Sequence, residues 1–500
     1  MPSPISLEQA SIDALREQSI CKQGHLIDGQ RVPASNDALM EVLSPIDGKS
    51  ITHIANGTTS DMDKAIVSAR KVFDEGRWSR MSPASRKAVL FRLADLIQAE
   101  ALPLSVLGVR DNGTEISMAF KAESGSAAAT FRYYAEAIDK VYGQIAPTAD
   151  SVLGLIHHEP VGVVGAIVPW NFPLMIGAWK LAPALAAGNS VVLKPSETAS
   201  LSLLRLGELA LEAGLPPGVL NIVTGEGAVV GQAMGLSPLV DALVFTGSGA
   251  TGRRLLQYAA QSNLKRVYLE LGGKSPNVVF ADAPDLEHAA KVSAAAIFRN
   301  AGQVCVAGSR LLVETSIHDD FVEALCRATK AYKVGDPLQI DTDIGAINNQ
   351  QQLAMNLQHV SDAEAEGATI YMGGAQLHEK TGGYYMEPTV VTRVKPTHML
   401  AKKEVFGPVL AVTAFDGEPD AVKLANDTEL GLAAGVWTGN LSRAHRMVRS
   451  IHAGVVHVNT YGGADNTVPL GGVSQSGNGH DKSLHALSKY TNLKTAWMQL

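Results

Sequence analysis

The 500-residue chain is poor in cysteine, in charge and in aromatic side chains, and each shortage excludes a class of protein. Cys21, Cys305 and Cys326 are its only cysteines, which excludes a disulfide framework and suits a reducing compartment. The 42 basic and 49 acidic residues give a net charge of −7, which argues against nucleic-acid binding. With 46% hydrophobic and only 18% charged residues, the chain can bury a large core, and intrinsic disorder is excluded.

The sequence also lacks an unbroken apolar segment that could cross a membrane. Residues 160–179 carry no charge, but Pro160, Pro169, Asn171 and Pro173 interrupt them. Their two halves are typical of a strand followed by a helix. The N-terminus has no apolar run of signal-peptide length, so we expect a cytoplasmic protein outside the membrane.

Short β-branched runs alternate with helical patterns over residues 163–271 and again over 275–459. This alternation predicts βαβ units, and therefore an α/β fold with doubly wound parallel sheets. Residues 62–75 and 84–108 have apolar positions at helical spacing. Two isolated strand-like segments, 150–159 and 490–498, are expected to form a small arm or a subunit contact.

A glycine-rich turn is the first candidate for ligand binding. Gly247, Gly249 and Gly252 fit G-x-G-x-x-G between a strand and a helix, a pattern that holds a dinucleotide phosphate at a helix N-terminus. A tight turn without a ligand has the same pattern. An acid about 20 residues further on would hold a ribose. Glu270 lies 18 residues after Gly252 and fits that position, but Glu197 in LKPSE also follows a strand and could hold the ribose instead, so local reasoning leaves the choice open.

Cys305 and Asn171 are the candidates for covalent chemistry. Cys305 lies among small residues in RNAGQVCVAGSR, where a ligand can approach the backbone and a thiolate can act as nucleophile; a buried structural thiol is the alternative. Cys326 falls in a helical pattern and is expected to be buried. Asn171 lies between two prolines in PWNFP, which would fix its amide as an oxyanion donor or simply stiffen a turn. No metal site is expected, because no clustered ligand motif occurs.

Seven motifs together resemble the aldehyde dehydrogenase superfamily in their order along nearly the whole chain: PWNFP, LKPSE, FTGS, LELGGKSP, GQVC, EVFGPV and SGNG. The resemblance implies an aldehyde dehydrogenase-like fold with three parts. These are a Rossmann-like cofactor domain (1–145 and 162–272), an α/β catalytic domain (273–475) and a small β oligomerisation arm (146–161 and 480–500). It also implies a homo-oligomer, a tetramer rather than a dimer.

The same resemblance assigns roles that local reasoning could not. Cys305 matches the nucleophile, Glu270 the general base and Asn171 the oxyanion donor. A carboxylate at Glu197 would bind the ribose hydroxyls and repel a 2′-phosphate, which favours NAD over NADP. The residues that match cofactor contacts are Ile167, Trp170, Lys194, Glu197, Gly227, Gly247, Ser248, Glu404 and Phe406. Those that match the substrate tunnel are Phe172, Trp179, Tyr461 and Asp465.

Two further segments, AEAIDKVYG and SGNGHDKSLHAL, resemble the bacterial branch that oxidises ω-amino, γ-glutamylamino and ω-guanidino aldehydes. The loop YGGAD keeps Asp465 but has Gly462 where that branch often has aspartate, so a cationic substrate tail would meet one fewer carboxylate. An aromatic tunnel would also suit a dehydrogenase of broad specificity for aliphatic and aromatic aldehydes. A cofactor-independent thiol esterase could use the same cysteine, and NADH formation would distinguish the two activities.

Overall fold

The computed structural model describes residues 7–463 and 465–500, which contain two large sheets, several small ones and flanking helices. The strands in these ranges are β1 His25–Ile27, β2 Gln30–Val32, β3 Leu39–Leu43, β4 Ser50–Ala55, β5 Gln144–Ala146, β6 Val152–Pro160, β7 Val163–Ile167, β8 Ser190–Lys194, β9 Leu220–Ile222, β10 Ala242–Thr246, β11 Arg266–Glu270, β12 Pro276–Val279, β13 Arg310–Glu314, β14 Thr369–Met372, β15 Gln376–Leu377, β16 Tyr385–Met386, β17 Thr389–Thr392, β18 Val409–Phe415, β19 Leu430–Gly431, β20 Ala433–Trp437, β21 Val455–Val458, β22 Val473–Ser474 and β23 Thr491–Gln499. The α-helices are α1 Gln9–Arg16, α2 Thr59–Glu75, α3 Pro83–Ala99, α4 Ala101–Asn112, α5 Ile116–Met118, α6 Ser126–Ala137, α7 Pro173–Ala186, α8 Leu201–Glu212, α9 Gln232–Leu236, α10 Gly249–Gln261, α11 Leu286–Phe298, α12 His318–Lys330, α13 Gln350–Ala365, α14 Met399–Lys402, α15 Gly417–Ala425 and α16 Leu441–Ser450.

The first large sheet has the strand order β11-β10-β7-β8-β9-β1-β2. Its strands from β11 to β9 are parallel, and the hairpin β1-β2 adds an antiparallel edge. The register pairs Ile167 with Lys194, and Thr246 with Glu270, so the carboxyl ends of these strands meet at one edge. In a doubly wound sheet this edge is where ligands bind.

The second large sheet has the order β14-β17-β18-β13-β12-β20-β21, parallel except for β14. The two parallel sheets confirm the α/β fold class that the alternating pattern predicted. Strand β20 was missed by the sequence analysis. Its sequence AAGVW contains a single β-branched residue, Val436, so the strand depends on pairing with β12 and β21.

Residues 160–179 form a strand, a turn and a helix, as their prolines indicated. β7 is fully buried, and α7 begins at Pro173, whose fixed φ and missing N–H suit the first turn of a helix. All residues of α7 except Met175 are buried, which explains why the helix is apolar apart from Lys180. Within the described residues, no helix combines the length and the apolar character needed to cross a bilayer.

The segment 84–108 forms two helices rather than one continuous helix. α3 ends at Ala99 and α4 starts at Ala101, so the chain turns at Glu100. Pro103 lacks an N–H and its ring would clash with the carbonyl of residue 99 in a continuous helix, which is the physical reason for the break.

The two isolated strand-like segments pair with each other outside the main sheets. β23 lies antiparallel to β6 along nine residue pairs, from Thr491↔Pro160 to Gln499↔Val152, and β5 covers the other edge of β6. Leu493 is 70% exposed and Trp497 is 66% exposed on β23. A large apolar side chain at this exposure is typical of a surface that another molecule covers.

Candidate active site

Cys305 lies on a tightly packed loop between α11 and β13. The loop starts with a 3-10 turn, Arg299–Gly302, in which Asn300 (φ 49°) and Ala301 (φ 50°) adopt left-handed backbone. A Cβ on Gly302 would overlap the carbonyl of Gly407, so the loop can pack this closely only with glycine at that position. The small residues noted in the sequence thus hold the thiol in a fixed, half-buried position.

The electrostatic surroundings favour the protonated thiol. Burial raises the pKa of Cys305 to about 12, and the nearby carboxylates of Glu404 and Glu270 add to the increase. The backbone N–H groups of Cys305 and Val306 act in the opposite direction but do not compensate. At neutral pH the group is therefore a thiol until a ligand or a neighbouring base changes its environment.

Two cavities meet at Cys305 from different sides. The first, of about 680 Å³, lies next to the carboxyl edge of the first sheet, and we call it the cofactor-side cavity. The second, of about 890 Å³, lies next to α7 and the loop before β22, and we call it the aldehyde-side cavity. Of the described residues, Asn171 and Cys305 are the two that line both. The structure therefore provides a thiol that two ligands could reach at once.

Asn171 is held rigidly beside the thiol loop. Its side-chain amide donates a hydrogen bond to the carbonyl of Gln303 at 2.9 Å, and its own carbonyl accepts one from the Asn300 amide at 3.2 Å. The side chain is only 4% exposed. Because an amide nitrogen carries two hydrogens, one remains for an oxygen bound near Cys305. The proline-flanked turn thus fixes an amide donor next to the nucleophile candidate.

The cofactor-side cavity contains seven of the residues that matched cofactor or catalytic positions. They are Trp170, Asn171, Gly247, Ser248, Cys305, Glu404 and Phe406. Ser248 caps α10 by accepting a hydrogen bond from the Thr251 N–H, and this 13-residue helix points its N-terminus at the cavity. A phosphate is stabilised at such a helix end. Gln352 and Thr246 also line the cavity, and no motif in the sequence singled them out.

Glu404 and Phe406 fold back over the cysteine loop. The Glu404 carboxylate accepts a hydrogen bond from the Gly273 N–H at 2.9 Å, and burial raises its pKa to about 7. A Cβ on Gly272 would overlap this carboxylate. The Phe406 ring meets the Trp170 indole edge to face, with 5.3 Å between ring centroids. These contacts fix a carboxylate and two aromatic rings around the space beside Cys305.

Lys194, Glu197 and Gly227 form a separate polar cluster at the ends of β8 and β9. The Lys194 ammonium lies 2.8 Å from Glu197 Oε1, and the same oxygen accepts the Gly227 N–H at 2.6 Å. Ile167 lies at the end of the adjacent strand β7. A carboxylate with one oxygen anchored and 30% of the side chain exposed can accept hydrogen bonds from sugar hydroxyls. This cluster and the cofactor-side cavity together suit an extended dinucleotide.

Glu270 is buried behind the cavities rather than in their linings. Its Oε1 has no hydrogen-bond partner within the described residues. Burial and the neighbouring Asp481 carboxylate raise its pKa well above the usual value, against the opposing effect of Lys180 and Lys489. Glu270 also contributes to the raised pKa of Cys305, so the two groups interact electrostatically. A carboxyl group with a raised pKa is typical of a general base or acid.

The four residues matched to the substrate tunnel occupy different places. Phe172 and Trp179 line the aldehyde-side cavity. Tyr461 is buried beneath the thiol loop and donates a hydrogen bond to the Val306 carbonyl at 2.9 Å. Asp465 is exposed and lies outside the cavity lining, where its carboxylate accepts the Thr467 N–H at 2.8 Å. The sequence did not reveal further lining residues, among them Met118, Met175, Arg299, His457 and Lys482.

A thiol between a dinucleotide-sized site and a second cavity is the arrangement of a nicotinamide-dependent oxidoreductase that works through cysteine. The sequence model described as the aldehyde dehydrogenase family matches residues 32–496, and the chain belongs to this family. The protein is therefore an NAD(P)-dependent oxidoreductase that acts on aldehydes.

Several relatives are similar over almost their whole length. The NADP/NAD-dependent aldehyde dehydrogenase PuuC of Escherichia coli is 50% identical over 475 residues, which cover 95% of each chain. The solved structure of a γ-glutamyl-γ-aminobutyraldehyde dehydrogenase from Burkholderia cenocepacia superposes with a TM-score of 0.97 at 47% identity, covering 99% of this chain and 100% of the other. An indole-3-acetaldehyde dehydrogenase in complex with NAD⁺ superposes with a TM-score of 0.98 at the same identity and coverage. These similarities confirm the fold and the class of reaction expected from the sequence.

Proposed function

We propose that Cys305 passes its thiol proton to Glu270, which releases it to solvent, and attacks the aldehyde carbon as a thiolate, with Asn171 and Glu270 as its catalytic partners. The observation that carries this proposal is the position of the thiol at the junction of the two cavities. The thiol and the cofactor must both reach the carbonyl carbon of the aldehyde, and this position allows it. Attack moves the carbonyl electron pair onto oxygen. The remaining Asn171 amide hydrogen and the Cys305 backbone N–H stabilise that oxyanion.

The residues that would hold the dinucleotide lie in two groups. Lys194, Glu197 and Gly227, with Ile167 beside them, would hold the adenosine ribose; Gly247 and Ser248 would hold the pyrophosphate. Trp170, Glu404 and Phe406 would orient the nicotinamide end. When bound, the nicotinamide supplies the hydride acceptor for aldehyde oxidation. The partly exposed Glu197 carboxylate would repel a 2′-phosphate, which supports NAD as the preferred cofactor.

Glu270 is proposed to activate the water that completes the reaction. The oxidised substrate is a thioester on Cys305, and hydrolysis needs a base to take a proton from water. Glu270 is deeply buried and has an oxygen without a partner, so it can accept that proton. The water oxygen then bonds to the acyl carbon, the carbon–sulfur bond breaks, and the acid leaves as the thiol is regenerated.

The substrate is proposed to be an ω-amino, γ-glutamylamino or ω-guanidino aldehyde. The similarity to the γ-glutamyl-γ-aminobutyraldehyde dehydrogenase supports this class. Phe172 and Trp179 in the cavity lining would pack against the aliphatic part of such a chain, with Tyr461 supporting the loop beneath. Asp465 would contact a cationic tail only beyond the cavity lining, at the surface.

We also propose that three units divide the chain as the resemblance implied. The first large sheet supports a cofactor domain formed by residues 1–145 and 162–272. The second large sheet supports a catalytic domain formed by residues 273–475. The arm of β5, β6 and β23 supports oligomerisation, with a tetramer favoured over a dimer, through its exposed apolar side chains. All three cysteines are free, which supports a cytoplasmic location.

Turnover of a substrate panel with NAD by wild-type protein and Cys305→Ala tests the proposal. We expect NADH formation by the wild type with hexanal and 4-aminobutyraldehyde, and none by the variant. Cys326→Ala is the matched control, since that thiol is buried in α12 and contacts neither cavity. NADH formation that persists in Cys305→Ala would refute the assignment of the nucleophile.

A further inference from the structure

The aldehyde-side cavity is lined by positive charge. Arg299 and Lys482 contribute cationic side chains to its lining, and His457 contributes an imidazole. Within residues 7–463 and 465–500, no aspartate or glutamate contributes to that lining. The tail of a ligand in this cavity therefore meets basic groups, although the acidic Asp465 lies at the surface outside the lining.

The Arg299 guanidinium lies against a glycine that leaves it accessible. Its two terminal nitrogens are 3.1 and 3.2 Å from the place where a Cβ on Gly462 would be. In the described part of the chain, no side chain or carbonyl makes a hydrogen bond or ion pair with the guanidinium. A Cβ on the neighbouring Gly463 would have no atom within 4 Å, so the cavity is open beside this group. The Arg299 guanidinium, which carries only N–H donors, thus lines space that a ligand can enter.

Nearby acids do not neutralise Arg299 by direct contact. Glu115 is buried and accepts the Asn300 N–H, and burial raises its pKa to about 7, so it is only partly charged at neutral pH. Asp465 bonds to Thr467 at the surface. On the cavity side, burial first and then the Arg299 charge lower the pKa of His457, so this imidazole is neutral near pH 7.

Lys482 adds a second cation near the same cavity. Its ammonium lies 5.6 Å from the centre of the Trp179 ring, a cation–π contact. Burial lowers its pKa, and the charges of Asp465 and Asp481 oppose this effect. The lining therefore combines the aromatic ring of Trp179 with two basic groups.

We propose that Arg299, with Lys482 as second cation, forms an anion-binding subsite for a carboxylate at the far end of the aldehyde substrate. The inference rests on the proposed function and specifies its substrate. The planar guanidinium matches a carboxylate through two parallel hydrogen bonds, which makes it the most selective group for this purpose. An aspartate in place of Gly462 would pair with Arg299; glycine leaves the guanidinium for the substrate.

This subsite selects among the three proposed substrate types. A γ-glutamylamino aldehyde carries a free α-carboxylate on its glutamyl end, whereas simple ω-amino and ω-guanidino aldehydes carry only a cation. Repulsion from Arg299 disfavours the last two. Simple ω-carboxy aldehydes, such as 4-oxobutanoate and 6-oxohexanoate, share the recognised carboxylate and should also be accepted.

The test compares kcat/KM with NAD for γ-glutamylaminobutyraldehyde, 6-oxohexanoate, hexanal and 4-aminobutyraldehyde. For the wild type we expect 6-oxohexanoate to exceed hexanal about tenfold or more, as one charge-assisted bidentate contact would give. In Arg299→Gln this ratio should fall about tenfold, whereas Arg299→Lys should retain part of it. Arg449→Gln, at an exposed arginine on α16, is the matched control and should leave the ratio unchanged.

A second variant tests the same charge without removing the arginine. Gly462→Asp places a carboxylate beside the guanidinium, and aspartate tolerates the left-handed backbone at this position (φ 82°) better than most residues. The preference for 6-oxohexanoate should fall in this variant too. The proposal is overturned if Arg299→Gln keeps the ratio within twofold, or if the wild type prefers 4-aminobutyraldehyde to both carboxylated aldehydes. Absence of NADH formation with every aldehyde would instead reject the proposed function itself.

Discussion

The Lys489 ammonium donates a hydrogen bond of 2.6 Å to the Asp481 carboxylate deep in the protein. The other oxygen of Asp481 accepts a hydrogen bond from Lys180 at 2.5 Å, and all three side chains are at most 5% exposed. Two ammonium groups and one carboxylate leave one positive charge beside Glu270. Ionisation of Glu270 would make the buried group of four neutral, so the cluster controls the protonation of the proposed base.

The first prediction concerns the pH dependence that this cluster sets. Since the pKa of Glu270 is raised, thioester hydrolysis should accelerate as pH increases through that pKa. Lys489→Met removes a stabilising cation and should shift this rise to higher pH; Asp481→Asn removes a like charge and should shift it to lower pH. Each shift should be about one unit or more. Steady-state kcat from pH 5 to 10 is the measurement, and shifts in the same direction would contradict the electrostatic account.

The second prediction concerns the choice of cofactor. Glu197→Gln removes the charge that would repel a 2′-phosphate while retaining a side-chain oxygen for the Gly227 N–H. The ratio of kcat/KM for NAD to that for NADP should fall about tenfold, which corresponds to the loss of one charged contact. Glu364→Gln on α13, an exposed acid outside both cavities, is the control. An unchanged ratio would show that Glu197 does not contact the ribose.

The third prediction uses the close contact at Gly272. In Gly272→Ala the added methyl group would overlap the Glu404 carboxylate and force it to move. Because Glu404 is proposed to orient the nicotinamide end, KM for NAD should rise about tenfold or more. Gly367→Ala tests for a general effect of adding a methyl group, since no atom lies near its Cβ position, although its φ of 90° brings some backbone strain. A KM for NAD within twofold of the wild type would argue against the role of Glu404.

The fourth prediction concerns the arm. Leu493 and Trp497 are four residues apart on β23 and project from the same face of the strand. The double variant Leu493→Ser, Trp497→Ser should reduce the assembly to a smaller species, since burial of two large side chains contributes about 1.5–3 kcal/mol each. Light scattering measures the change. Leu264→Ser, another highly exposed apolar residue outside the arm, should leave the assembly unaltered.

Local patterns predicted the parts of the fold and site that depend on neighbouring residues. The β-branched runs over 163–271 and 275–459 predicted the two parallel sheets, and small neighbours distinguished Cys305 from Cys326. Proline spacing could also have predicted the break between α3 and α4. The roles of Glu270 and Glu197 needed the family resemblance, because each acid follows a strand and either could have held the ribose.

Contacts between distant segments could not be predicted in this way. Lys180 and Asp481 are 301 positions apart, and nothing in either local sequence indicates that they pair. Arg299 appeared unremarkable next to Cys305, and its position against Gly462 depends on how two loops fold together. Such contacts follow from three-dimensional packing. The sequence therefore showed that Gly462 stands where related enzymes often have aspartate, but it did not show that Arg299 lies against this position.

Among the residues that the structure describes, the two cavities at Cys305 share only Asn171 and the cysteine itself. Substitutions in the aldehyde-side lining can therefore accumulate without altering the surface that we propose for the dinucleotide. Natural selection can therefore retain the cysteine and the proposed cofactor site while the range of accepted aldehydes changes. An engineer can follow the same route, by redesigning the walls around Arg299 and Trp179 and leaving the cofactor half of the protein untouched.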